Sequence, residues 1–155
     1  MAVVAGLLPV AATAADGLGR LDRVGEAYNQ AARQIGASTR MVLLNCTSED
    51  AAACRYSLTG EMTAVALAAR RESPAQMITI IYGPNSEAVE FLTAIGVTMQ
   101  ALSPRSDREE RGQALSQLTG AIKAGGIADV VLGDVRYRLG AEKAKGVVLF
   151  SATAR

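Results

Sequence analysis

The sequence contains no histidine and no tryptophan, and its aromatics amount to two Phe and four Tyr in 155 residues. Without histidine the commonest general base and the commonest metal ligand are missing. Serine–histidine and cysteine–histidine couples are therefore excluded, and so are the usual histidine-bearing zinc sites. So few aromatics argue against base-stacking surfaces and carbohydrate platforms. An excess of either charge is also lacking: 16 basic residues stand against 15 acidic ones, for a net charge of +1. A domain built for nonspecific nucleic-acid binding carries a basic excess, so that class is set aside. No apolar run reaches the ~20 residues that a membrane-spanning helix requires.

What is present is an ordinary globular composition, with half the residues hydrophobic and a fifth charged. That is enough apolar material for one domain with its own core. The longest apolar run, Ala2 to Val10, is followed by Ala12-Thr13-Ala14 and then by the polar Asp16. Small residues at that spacing after an apolar stretch are the back half of a secretory signal peptide. Residues 1–15 are expected to be that leader, lacking its basic first part because no Lys or Arg precedes Arg20, and residues 16–155 to be a single domain. The competing reading is a buried N-terminal strand or helix.

Cys46 and Cys54 are the only cysteines. Each borders a strand-like run, Met41–Asn45 before the first and Arg55–Leu58 after the second. A hairpin would bring the sulfurs together, and the exported context favours a disulfide over two reduced thiols. A redox pair has two intervening residues and a helix N-terminus, and neither is present.

Beyond the leader, hydrophobic periodicity predicts a helix over 18–35 and strands over 40–46, 54–59, 62–69 and 76–82. Asn85 or Ser86 is expected to cap a second helix that buries Val89, Leu92, Ile95, Met99 and Leu102 and stops before Pro104. Ser106-Asp107-Arg108-Glu109 has the form of a capping box. The helix it opens places Ala114, Leu115, Leu118 and Ile122 on one face and ends at Gly125-Gly126. Strands follow over 135–139 and 146–152, with a shorter extended piece at 129–132 that pairs ahead of the Gly133-Asp134 turn. The order α-β-β-β-β-α-α-β-β indicates an α+β domain, a mainly antiparallel sheet with three helices packed on it. In element order alone it resembles bacterial secretion chaperones and similar helix-on-sheet modules. The likeness covers topology and no motif, so it implies a fold and not a function.

Chemistry-bearing motifs are few. Gly17-Leu18-Gly19 has no preceding strand and no third glycine, so it reads as a flexible join rather than a dinucleotide loop. None of Lys123, Lys143 and Lys145 sits in a phosphate-binding loop. Glu109-Glu110 falls in a helix's first turn, where the helix dipole favours negative charge. Glu49-Asp50 offers two carboxylates, short of the six to eight oxygens calcium takes. Asn45-Cys46-Thr47 matches the glycosylation sequon, but at a strand end committed to a disulfide. No catalytic residue, metal ligand or cofactor is assigned.

One surface remains. If Cys54, Tyr56 and Leu58 face the core, Arg55 points out; if Val135, Tyr137 and Leu139 face in, Arg136 and Arg138 point out. Three arginines then share one sheet face, where their planar forks suit carboxylates and phosphates. The plainer reading is that they only solvate that face. Met62–Ala69 and Met77–Ile81 are apolar on both sides, which makes them central strands, strands under an additional layer, or the floor of an apolar groove for a partner segment or lipid. The expectation for function is an exported, non-catalytic module that binds a protein partner, accessory or chaperone-like. The alternatives are a carrier of a small apolar ligand, which needs a cavity of roughly 300 Å³ or more with few polar atoms, and a hydrolase working with carboxylates alone.

Overall fold

A computed structural model describes residues 18–47 and 52–155. The expected leader lies outside the described residues, as do Gly17 and the Glu49-Asp50 pair. Among these residues seven strands form one antiparallel sheet: β1 (Met41–Cys46), β2 (Ala52–Leu58), β3 (Met62–Ala68), β4 (Met77–Tyr82), β5 (Ala128–Leu132), β6 (Val135–Glu142) and β7 (Val147–Ala154). Their spatial order is β1-β2-β3-β4-β7-β6-β5. Three helices accompany them: α1 (Val24–Gln34), α2 (Ala88–Leu102) and α3 (Arg108–Lys123). The α+β class is as the element order indicates. The short piece at 129–132 is a full strand that forms one edge of the sheet.

Strict alternation builds one core-facing side. Cys54, Tyr56 and Leu58 of β2, Ala64 and Ala66 of β3, Ile78 and Ile80 of β4, Phe150 and Ala152 of β7, and Val135, Tyr137 and Leu139 of β6 are all buried. Small alanines on β3 let the turn at Leu21–Arg23 come close to the sheet. Tyr28 of α1, Ile95 and Met99 of α2 and Leu118 of α3 join the same core. The chain leaves β4 through α2 and α3, reaches the far edge at β5, and returns by hairpins through β6 to β7, which closes against β4.

Several local expectations are corrected. Only Val24–Gln34 of the 18–35 segment is α-helical; a 3-10 turn over Leu21–Arg23 leads into it. Ile35 follows the last helical residue, which takes it off the buried face and leaves it 49% exposed. Neither Asn85 nor Ser86 caps α2, whose N-cap is Glu87 without a side-chain cap. The Ser86 hydroxyl instead accepts from the Gly83 N–H and donates to the Glu61 carbonyl. At the start of that helix Val89 and Leu92 are exposed. The capping box of α3 sits one residue later than the sequence suggests, at Asp107 and Glu110. Ser106 is already engaged: its hydroxyl donates to the Ser103 carbonyl and its own carbonyl accepts from Arg111.

Both ends of the described chain are anchored. The Leu18 N–H donates to the Ala75 carbonyl at 2.9 Å, and the Arg155 N–H donates to that of Asp134 at 3.0 Å.

Candidate interaction surface

Among the described residues the helices cover one side of the sheet only. Read across the strand pairings, the opposite side carries three rows. The first runs Asn45, Arg55, Val65, Thr79, Ser151, Arg138, Asp129 and crosses all seven strands. The second holds Val42, Ser57, Thr63, Ile81, Leu149 and Gly140, and the third Ala53, Leu67, Met77, Thr153, Arg136 and Val131. Not one of these residues is buried. Strands β3 and β4 are central, as their two-sided apolar character implies. Among the described residues no additional layer lies over their second side.

The three arginines do share this face, but they do not form one cluster. Arg55 on β2 is four strand spacings from β6, about 19 Å, with β3, β4 and β7 between. Arg138 is engaged by Asp129, donating from Nε at 2.9 Å and from Nη2 at 3.0 Å to the two carboxylate oxygens. That fork holds the Asp129 carboxyl below its ordinary range, with the Coulomb fields of Arg138 and Arg136 acting in the same direction. Asp129 escaped the sequence reading although the signal was there: counting outward from the two-residue Gly133-Asp134 turn pairs it with Arg138. Arg55 and Arg136 make no ion pair among the described residues.

Between the arginine flanks lies an apolar band. Val65 and Leu67 of β3, Met77 and Ile81 of β4, and Leu149 of β7 occupy it, interleaved with Thr63, Thr79, Ser151 and Thr153. Leu67 is 42% exposed. The Thr79 and Ser151 hydroxyls meet across the strands at 3.1 Å, which satisfies two polar groups within the band.

The β1 edge of the sheet is less inviting. Val42, Leu43 and Leu44 of β1 are all exposed, a pattern that ordinarily invites strand addition. However, Asn29 of α1 donates to the Met41 carbonyl at 2.9 Å and accepts from the Met41 N–H at 2.8 Å, occupying the edge as a neighbouring strand would. A register shift between Leu43 and Asn45 interrupts the remainder. Both devices blunt an edge.

Cys46 and Cys54 face each other across β1 and β2 and form the expected disulfide. The sequon's Thr47 accepts from the Ala53 N–H, fastening the base of that hairpin. The remaining polar groups of the core are structural. The Tyr56 hydroxyl donates to the Leu21 carbonyl at 2.7 Å, and those of Tyr28 and Tyr137 pair with Thr39 at 3.0 Å and Ser103 at 2.7 Å. Burial pushes the phenols of Tyr28 and Tyr137 up to about 12, against the opposing pull of those hydrogen bonds.

No group of three or more His, Cys, Asp or Glu side chains among the described residues is placed to hold a metal ion. The apolar cavity between α1, α2 and the sheet, walled by Val24, Tyr28, Met41, Ile78 and Thr98, measures about 10 Å³. A second, open cleft of about 600 Å³ lies beside Leu102, Leu132 and Val135, and Arg105, Glu110 and Asp134 also line it. The first is far too small for an apolar ligand, and the second mixes charges into its wall. No family model, curated protein or solved structure matches this chain.

Proposed function

We propose that this protein is an exported, non-catalytic module that binds a protein partner through the open face of its sheet, in an accessory or chaperone-like role. The observation that carries the reading is the apolar band formed by Val65, Leu67, Met77, Ile81 and Leu149 on strands β3, β4 and β7, over which no additional layer lies among the described residues. A sheet covered by helices on one side buries that side for stability, and apolar side chains left on the other side are the usual mark of an interaction surface. The arginines act as flanks to this band rather than as its centre. Export is supported by the Cys46–Cys54 disulfide and by the leader-like first fifteen residues. The assignment to binding rather than catalysis rests on the lack of histidine and on the structural use of both cysteines.

Affinity purification of the exported protein, compared with its Leu67→Asp variant, tests the proposal. The wild type is expected to recover a defined protein that the variant loses while keeping its circular dichroism spectrum. Identical sets of recovered proteins would remove the open face as the binding surface. N-terminal sequencing of the exported form is expected to begin at Ala15 or Asp16, and a form retaining residues 2–14 would contradict the leader.

A further inference from the structure

We infer that the occupant of the open face is an amphipathic α-helix carrying carboxylates along both flanks of its apolar stripe. This rests on the protein-binding reading above and specifies its partner.

Three observations converge on a helix of that charge. The first is width. The apolar band covers β3, β4 and β7, and the outer two of these strands lie about 10 Å apart, the breadth of one helix with its side chains. The second is the placement of charge. Arg55 stands on the strand immediately outside the band on one side, and Arg136 and Arg138 on the strand immediately outside it on the other. Asp129 answers Arg138 only, so each flank retains a guanidinium without an ion-pair partner among the described residues. A helix seated on the band has its side-facing residues over these guanidinium groups, and Asp or Glu there meets them with bidentate geometry. The third is hydrogen bonding. The face of a sheet offers no free backbone donors or acceptors, so its occupant must satisfy its own peptide groups. A helix does this and a lone extended peptide does not.

The same charges disfavour a second copy of this chain as occupant. Two such faces laid together bring four unanswered guanidinium groups into one interface, and the carboxylates they bring, Asp129 and Glu142, are already engaged by Arg138 and Lys145.

The test uses a synthetic 18-residue helical peptide with leucines on one face and glutamates on both flanks, labelled for fluorescence anisotropy, and a control with lysine replacing each glutamate. The full exported protein is expected to bind the glutamate peptide and not the lysine peptide, and to bind more weakly as salt is raised. Arg55→Glu and Arg136→Glu should each weaken binding by roughly threefold or more. The double variant should prefer the lysine peptide, and Leu67→Asp should abolish binding. Equal binding of both peptides, no binding of the glutamate peptide, or indifference to Leu67→Asp would overturn the inference. So would sedimentation with phosphatidylglycerol vesicles that Leu67→Asp prevents, which assigns the face to lipid. A dimer in size-exclusion chromatography that Leu67→Asp dissolves would likewise overturn it in favour of a second copy. If the peptide fails while partner capture still depends on Leu67, the protein-binding reading stands and the helix falls. If both fail, both fall.

Discussion

Ser103 and Tyr137 meet at 2.7 Å, hydroxyl to hydroxyl, where the C-terminal end of α2 reaches the middle of β6. The Ser103 hydroxyl also donates to the Leu132 carbonyl at 3.1 Å, so one small side chain ties α2 to two strands. Removing either partner has unequal consequences. Tyr137→Phe leaves Ser103 bonded to Leu132 and should cost about 1 kcal/mol. Ser103→Ala strands a buried phenol and should cost about 1–3 kcal/mol. Urea titration of the two variants checks this order, which the reverse ranking would contradict.

Alkaline pH should unfold the protein through its buried tyrosines. Burial raises the Tyr28 and Tyr137 phenols from 10.0 to about 12 in the folded state. The neutral form is the one the fold favours. The associated stability is thus fully present below pH 10 and is lost as pH rises towards 12. Each phenol accounts for roughly 2–3 kcal/mol once both states ionise. Absorbance at 295 nm should show that these two ionise together with loss of the circular dichroism signal. Full ionisation near pH 10 with structure intact would contradict the burial.

The hairpin between β2 and β3 contains a correctable strain. Glu61 has φ +59°, the only described non-glycine residue with positive φ, and only its backbone carbonyl is used, by Ser86. Glu61→Gly should stabilise by up to about 1 kcal/mol, since glycine adopts that conformation without a Cβ clash. The preceding Gly60, at φ +86°, behaves oppositely: a Cβ there would lie 2.6 Å from that of Glu90. Gly60→Ala should lower the unfolding midpoint while Glu61→Gly raises it, and shifts in the same direction would refute the assignment.

Reduction of Cys46–Cys54, which are eight residues apart, should cost about 2–3 kcal/mol through the restored freedom of the loop. Thiol labelling of unreduced, denatured protein should find neither cysteine free.

Much of this architecture was legible because alternation and helical period are local. Tyr56 and Tyr137 are buried and Arg55, Arg136 and Arg138 exposed, as a period of two requires. The failures have physical causes. Two capping boxes overlap at Ser106–Glu110, and prior engagement of Ser106 selects the second. Ile35 and Leu92 have core-like hydropathy, but one lies past a helix end and the other on an uncovered flank. Strand order is the larger omission. Nothing local says that β7 inserts between β4 and β6, and that insertion adds a third strand to β3 and β4 between Arg55 and the other arginines and completes the width of the apolar band.

Photo-crosslinking within producing cells decides whether the open face is the binding surface. With benzoylphenylalanine at Leu67, on the open face, one dominant protein adduct is expected. With the same group at Gln117, exposed on α3, none is expected. Adducts from Gln117 but not from Leu67, or the same adducts from both, would overturn the assignment of binding to that face.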